Sequence, residues 1–159
     1  MRMQDFAGFS AIAVGLDGSR LSEATLPMVK ELARQFDARI SLITVLDPHV
    51  GERFAEYCHS EGVTLDHAVR AYQERLIQDL RDDGLLVAGH VVELRGLSTP
   101  DTIREVAEHV HASLLVVGAH GRPGLGHIGL GSTAEALTSS GHLPVLVVRP
   151  SRAEAYAEI

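Results

Sequence analysis

Residues 114–133 read LLVVGAHGRPGLGHIGLGST, and this stretch decides the fold class. Its first four residues have the apolar pattern of a buried strand, the glycine-dense middle is typical of a loop, and Ser132-Thr133 can open a helix. A glycine-rich loop between a strand and a helix presents backbone N–H groups at the positive end of a helix dipole, where phosphate binds without a basic side chain. The stretch therefore predicts a phosphate-binding loop in an α/β protein.

Strand and helix patterns alternate along the rest of the chain. Residues 10–16 are short and apolar, and from Leu21 onward apolar residues recur with the helical period. Pro27 predicts that this first helix starts late or kinks near residue 26. Residues 48–66 show no clean period and are expected to form a variable connection with one short helical turn. We expect further strands at residues 39–46, 87–94, 113–118 and 144–148, the second of them interrupted by Gly89. Further helices are expected at residues 66–83 and 132–140. Another helix is expected to start after an N-cap at Thr99, with Pro100 in its first position.

This order predicts a single α/β domain over residues 1–159, with an open five-stranded parallel sheet and helices on both faces. In such sheets ligands bind beyond the carboxyl ends of the strands, at the point where the strand order reverses. If the strand order is 3-2-1-4-5, the first and fourth strands are neighbours, and Asp17 would face the loop that starts at Gly118. A carboxylate there can accept hydrogen bonds from ribose hydroxyls or an exocyclic amine, which points to a nucleotide. On residue type alone, Asp17 also suits a helix N-cap or an Asp-Gly-Ser turn.

Composition and charge restrict the classes of partner and the cellular compartment expected for the protein. The 159 residues carry 14 Lys and Arg against 21 Asp and Glu, a formal net charge of −7, which argues against nucleic acid or an anionic membrane as the main partner. The single cysteine, Cys58, excludes an internal disulfide and suits a reducing cytosol. No apolar run reaches the roughly 18 residues of a membrane span. A cytoplasmic protein is expected.

Two familiar phosphate-loop patterns do not fit the glycine stretch. A P-loop requires Gly-Lys-Ser/Thr, and the only lysine, Lys30, lies in the first predicted helix. The dinucleotide pattern matches at Gly124-x-Gly126-x-x-Gly129, but it follows the fourth strand, and no acid stands about 20 residues further on. The remaining pattern is Gly118-x2-Gly121-x9-Gly131-Ser132.

In this pattern, the chain resembles the ATP-binding branch of the universal stress protein family. The resemblance covers nearly the whole chain and rests on five segments: Asp17-Gly18-Ser19 after the first strand, Thr44-Val45-Leu46-Asp47 at the end of the second, VVGAHGR from Val116, LGSTAE from Leu130, and LPVLVV from Leu143. It implies an adenine nucleotide alpha hydrolase-like sheet, a homodimer, and ATP, AMP or ADP in the crevice. Family members divide into ATP-binding and non-binding branches by this glycine spacing, which the chain keeps.

The resemblance also implies site residues. Asp17 would contact the adenosine half, the Val45 backbone would read the adenine edge, Gly118 would lie by the ribose, and Gly121, Gly131, Ser132 and Thr133 would surround the phosphates. Gly15 stands where many nucleotide-binding members have proline. Bound Mg²⁺ would be held mainly by the phosphates, because no acidic cluster lies near the loop.

Several loop residues have two interpretations. Ser132 suits either a phosphate contact or a plain N-cap, and Arg122 suits either the γ-phosphate or solvent. His120 either packs near the ribose or faces solvent. The nine histidines lack the paired spacings of a zinc site, and no Gly-x-Ser-x-Gly elbow supports a hydrolytic triad.

The function expected is regulatory binding of ATP or AMP in a stress response. Two alternatives remain open: slow ATP hydrolysis, and a nucleotide-free dimer that docks partner proteins through residues 48–66. Dimerisation is predicted through the apolar fifth strand, Val145–Val148, whose open edge otherwise invites aggregation.

Overall fold

The computed structural model describes residues 6–119 and 129–151. Within them the sequence alternates between strands and helices, as its hydrophobic periods predict. The elements follow in the order β1 Ala11–Gly15, α1 Arg20–Glu23, α2 Leu26–Phe36, β2 Arg39–Leu46, α3 Pro48–Glu61, α4 Leu65–Asp82, β3 Val87–Glu93, α5 Thr99–His109, β4 Leu114–Gly118, α6 Ser132–Ser139 and β5 Val145–Val148.

The five strands form one parallel sheet in the order β3-β2-β1-β4-β5. β1 and β4 are buried along their whole length, as expected for central strands covered on both faces. Ile12 of β1 lies opposite both Ile40 of β2 and Leu114 of β4. The predicted fold class and strand order are confirmed.

Alternate residues of the central strands serve two separate cores. Val14, Leu42 and Val116 face α2 and α4 on one side of the sheet. Ala13 and Leu115 face α5 and α6 on the other side. Because successive side chains of a strand point to opposite faces, a nearly continuous apolar sequence fills both cores at once.

The first predicted helix is divided near the expected position. α1 ends at Glu23, and α2 begins at Leu26 with Pro27 in its first turn. Thr25 at the junction is fully buried, and its hydroxyl donates to the Ser22 carbonyl oxygen at 2.7 Å. The proline thus stands where its missing N–H leaves no helical hydrogen bond unmade.

The prediction for residues 48–66 is wrong. This segment holds a 14-residue helix, α3, in place of a variable connection. Asp47 caps the helix, since its Oδ1 accepts a hydrogen bond from the Val50 N–H at 2.8 Å, and Gly62 ends it in a left-handed conformation. Only Val50 is fully buried along α3, so the apolar period that identifies a helix is faint.

Smaller corrections concern helix starts and Gly89. The N-cap of α5 is Ser98, one residue before the expected Thr99, and Ser98 Oγ accepts from the Asp101 N–H at 3.2 Å. β3 runs through Gly89 without interruption. A Cβ at that position would lie 2.5 Å from Oε1 of Gln73, so the glycine makes room for a buried side chain of α4.

Candidate functional site

The carboxyl ends of β1 and β4 define the candidate site. The chain winds from β1 outward to β3, then returns to place β4 on the other side of β1, so the strand order reverses between these two strands. Gly15 ends β1 and Gly118 ends β4. A Cβ on Gly15 would lie 3.1 Å from Cγ1 of Val117, so the two strand ends are closely packed. Open α/β sheets bind their ligands at this kind of switch point.

Asp17 lies two residues beyond the end of β1 and is held in a turn. Its Oδ1 accepts a hydrogen bond from the Ser19 N–H at 2.9 Å, and its side chain is 20% exposed. The N-cap of α1 is Ser19, whose Oγ accepts from the Ser22 N–H at 3.0 Å. Of the two structural interpretations, the Asp-Gly-Ser turn is therefore right and the helix cap is wrong. The turn fixes a carboxylate at the tip of β1.

Helix α3 covers the same tip. His49 Nε2 lies 3.4 Å from Asp17 Oδ2, and Arg53 Nη2 lies 3.4 Å from the same His49 nitrogen. A Cβ on Gly18 would lie 2.5 Å from Cε2 of Phe54, so only glycine allows the helix to pack this closely. Sequence reasoning missed these three α3 residues because it missed the helix. The readable signals were the Asp47-Pro48 start and the i, i+4 spacing of His49 and Arg53.

Tyr72 of α4 packs against Phe54. The two rings meet edge to face, with 5.6 Å between their centroids. Burial, together with the carboxylates of Glu23 and Asp17, raises the pKa of the Tyr72 hydroxyl far above its ordinary value. The side chain therefore stays neutral beside the carboxylate of Asp17.

Val45, predicted to read the adenine edge, is buried near the end of β2, with 3% of its surface exposed. Its carbonyl oxygen already accepts a hydrogen bond from the Asp47 N–H at 2.9 Å. A carbonyl oxygen has a second lone pair, so this bond leaves acceptor capacity at Val45.

Gly118 lies against α1. A Cβ at Gly118 would lie 3.2 Å from the Leu21 carbonyl oxygen and 3.6 Å from Cα of Ser22. The glycine therefore has a packing role between β4 and α1, whatever ligand the crevice holds.

Gly131 is the N-cap of α6, with φ 81° and ψ 153°. This region of backbone space is essentially restricted to glycine. Because a glycine cap has no side-chain acceptor, the first N–H groups of α6, including those of Ser132 and Thr133, donate no hydrogen bond to a cap side chain. The interpretation of Ser132 as a plain N-cap is therefore wrong. Parallel strands β4 and β5 are joined through α6, so this helix begins on the carboxyl side of the sheet.

Three predicted site residues, His120, Gly121 and Arg122, lie outside the described residues. Among the residues described, no group of three or more His, Cys, Asp or Glu side chains could hold a metal ion. The same part of the chain has no helix that is both long and apolar enough to span a membrane.

The described site thus combines a fixed carboxylate at one strand tip with a glycine-capped helix N-terminus, which has no side-chain cap, on the same side of the sheet. The first can accept hydrogen bonds from hydroxyls or amines, and the second can donate to an anion. Fold and site together define a doubly wound α/β protein with a ligand crevice between β1 and β4.

Comparison with known proteins identifies the family. The model of the universal stress protein family matches residues 8–149, and the chain belongs to this family. A universal stress protein of Methanocaldococcus jannaschii is 31% identical over 155 residues, covering 92% of this chain and 85% of its own.

Two similar structures were solved with nucleotides. One is a universal stress protein in complex with cAMP, with a TM-score of 0.62 and 23% identity over 89% of this chain and 97% of its own. The other is the Archaeoglobus fulgidus universal stress protein in complex with dAMP, with a TM-score of 0.60 and 23% identity over 86% of this chain and 95% of its own. At this level of identity the likeness shows a shared fold.

Proposed function

We propose that the chain binds an adenine nucleotide, with ATP as the expected ligand, between the ends of β1 and β4, and that the bound nucleotide regulates a stress-response module. The observation that carries the proposal is that Asp17 and the glycine-capped start of α6 both lie on the carboxyl side of the sheet. Asp17 accepts from the adenosine half, and the α6 N–H groups donate to the phosphates. The complexes of two similar proteins with cAMP and dAMP support the choice of an adenine nucleotide.

The finer assignments belong to the same proposal. Gly15, Val45 and Gly118 line the adenosine side, while Gly121, Gly131, Ser132 and Thr133 surround the phosphates, with His120 and Arg122 beside them. Mg²⁺ enters with the phosphates. The protein acts in the cytoplasm as a homodimer formed through β5.

Calorimetric titration with ATP and adenosine tests the proposal, using Asp17→Asn. The amide oxygen can still accept from the Ser19 N–H, so the turn survives while the charge is lost. A hydrogen bond to a charged acceptor contributes about 1.5–3 kcal/mol, so the affinity for both ligands is expected to fall about 10- to 100-fold. ATP should bind the wild-type chain more tightly than adenosine, because only ATP reaches the start of α6.

Asp82→Asn is the matched control. Asp82 is an exposed acid of α4 that accepts from Gln78 Nε2 at 2.8 Å, and its substitution changes the net charge equally. Nucleotide affinity should be unchanged in this variant. Absence of ATP binding into the millimolar range, or equal affinities of wild type and Asp17→Asn, would refute the proposed site.

A further inference from the structure

A cavity of about 720 Å³ lies at the opposite end of the sheet from the nucleotide crevice. It is formed by the first residues of β2, the turn from α4 into β3, the end of α4, and the C-cap of α5. Its volume falls within the roughly 300–1,000 Å³ typical of small-molecule sites. We call it the amino-end groove, because the strands start there.

The amino-end groove is mainly apolar. Its lining includes Ile40, Leu85, Val87 and Val110. Leu86 stands at the groove with 75% of its surface exposed, so it can contact a ligand there. An apolar ligand body would cover this surface and gain hydrophobic stabilisation.

The charged side chains in the lining are both arginines. Arg39 donates from Nη2 to the Val110 carbonyl oxygen at 2.9 Å, and Arg81 donates from Nη2 to the Val87 carbonyl oxygen at 3.1 Å. These bonds fix each guanidinium and leave its other donors for a ligand. Within the described part of the chain neither arginine forms an ion pair, although the protein carries a net charge of −7. Asp83, close to Arg81 in sequence, pairs with Lys30 at 2.6 Å.

His90 adds an unsatisfied polar atom to the same lining. Its Nε2 is shielded from solvent and has no hydrogen-bond partner among the described residues. Burial, reinforced by the nearby His109, lowers the pKa of the His90 imidazole. Buried polar atoms are normally paired, so this nitrogen is a candidate to gain a partner when a ligand binds.

We infer that the amino-end groove binds a small organic carboxylate, with the carboxylate on Arg39 and Arg81 and an apolar body against Leu86 and Val110. A guanidinium matches the planar carboxylate through paired N–H donors. The described lining of the groove holds two arginines and no acidic residue, which suits an anion, and its apolar residues suit an organic one. The inference does not depend on nucleotide binding at the other end of the sheet.

The test uses the full ¹⁵N-labelled chain, titrated with octanoate, 1-octanol and acetate and followed by amide chemical shifts. Octanoate should shift amides of the groove, including Ser41 and Ala88, and bind at least about tenfold more tightly than either other probe, because it alone offers both a charge and an apolar body. The signals of the His90 ring should show its pKa rising on octanoate binding, since a nearby anion favours the charged imidazole.

Arg39→Gln and Arg81→Gln should each weaken octanoate binding about tenfold. Arg70→Gln, an exposed arginine of α4 outside the groove, is the matched control and should bind like wild type. If a glutamine variant loses its fold, Arg39→Lys and Arg81→Lys retain the charge and should show a smaller loss of affinity. Equal binding of octanoate and octanol, shifts centred elsewhere, or full octanoate affinity in both glutamine variants would overturn the inference. Saturating ATP should leave octanoate affinity unchanged, so this result is separable from the nucleotide proposal.

Discussion

Two glycines at the crevice have different physical roles. Gly118 has a packing role, because a Cβ at this position would lie 3.2 Å from the Leu21 carbonyl oxygen of α1. Gly131 has a backbone conformation that side chains rarely adopt, with φ 81°. The sequence pattern predicted that both positions matter, but it could not separate a packing reason from a conformational one. That distinction depends on α1, whose approach to β4 is a tertiary contact.

The pKa of His90 predicts how stability responds to acid. Its folded-state pKa lies below the ordinary value of 6.5, so the fold favours the neutral imidazole. As the pH falls below 6.5, the unfolded chain takes up a proton first, and the unfolding free energy should decrease until the folded-state pKa is passed. Above pH 6.5 the His90 imidazole is neutral in both states, so this residue does not lower the unfolding free energy there.

Urea unfolding at a series of pH values measures this effect. His90→Gln should flatten the decrease between neutral and mildly acidic pH relative to wild type. His59→Gln, an exposed histidine of α3, is the matched control and should leave the decrease intact. An identical pH dependence in wild type and His90→Gln would contradict the assignment.

At the scale of secondary-structure elements, the sequence predicts the strands but does not predict helix α3. All five strands and their parallel arrangement follow from apolar runs that alternate with helical periods, because buried parallel strands are almost continuously apolar. These patterns do not fix the order 3-2-1-4-5, since doubly wound sheets occur in more than one strand order. Most of α3 faces solvent, with Val50 as its only fully buried residue, so hydrophobic periodicity carries little information there. Because α3 was not predicted, His49, Arg53 and Phe54 were not identified as residues of the candidate site.

Asp47 connects α3 to the rest of the molecule. Its Oδ1 caps α3, and its Oδ2 accepts a hydrogen bond from Thr99 Oγ1 of α5 at 2.7 Å. Asp47→Ala removes both interactions and should lower the unfolding free energy by about 1–3 kcal/mol. Since α3 places His49 beside Asp17, the same variant should also weaken ATP binding.

Two milder variants separate the two halves of this link. Thr99→Val keeps the shape of the side chain and loses only the hydroxyl bond to Asp47, whereas Asp47→Asn keeps an oxygen for the Val50 N–H. Each should destabilise less than Asp47→Ala in urea unfolding. A wild-type midpoint for Asp47→Ala would show that the link contributes nothing to stability.

For the whole molecule, the sheet leaves two outer strands, β3 and β5. β5 is the shorter, and its four aliphatic residues are all only half-buried. The carbonyl oxygen of Pro144 accepts from the Leu115 N–H of β4, and that of Val148 accepts from the Ala119 N–H just after β4, both at 2.9 Å. By alternation, the backbone groups of Val145 and Val147 face outward. An apolar edge whose outward N–H groups have no partner among the described residues invites pairing with a second chain.

Val147→Pro should therefore convert the proposed homodimer to a monomer. Proline removes one outward N–H of β5 and leaves the hydrogen bonds to β4 in place. Val91→Pro makes the same change at the other edge: the Leu86 carbonyl oxygen accepts from the Ile40 N–H of β2, so by alternation Val91 faces outward on β3. Sedimentation velocity over a wide concentration range should show a dimer for wild type and Val91→Pro and a monomer for Val147→Pro. A monomeric wild type would refute the dimer itself, and a dimeric Val147→Pro would move its interface away from β5. A monomeric Val91→Pro with a dimeric Val147→Pro would assign the interface to β3, the strand that also lines the amino-end groove.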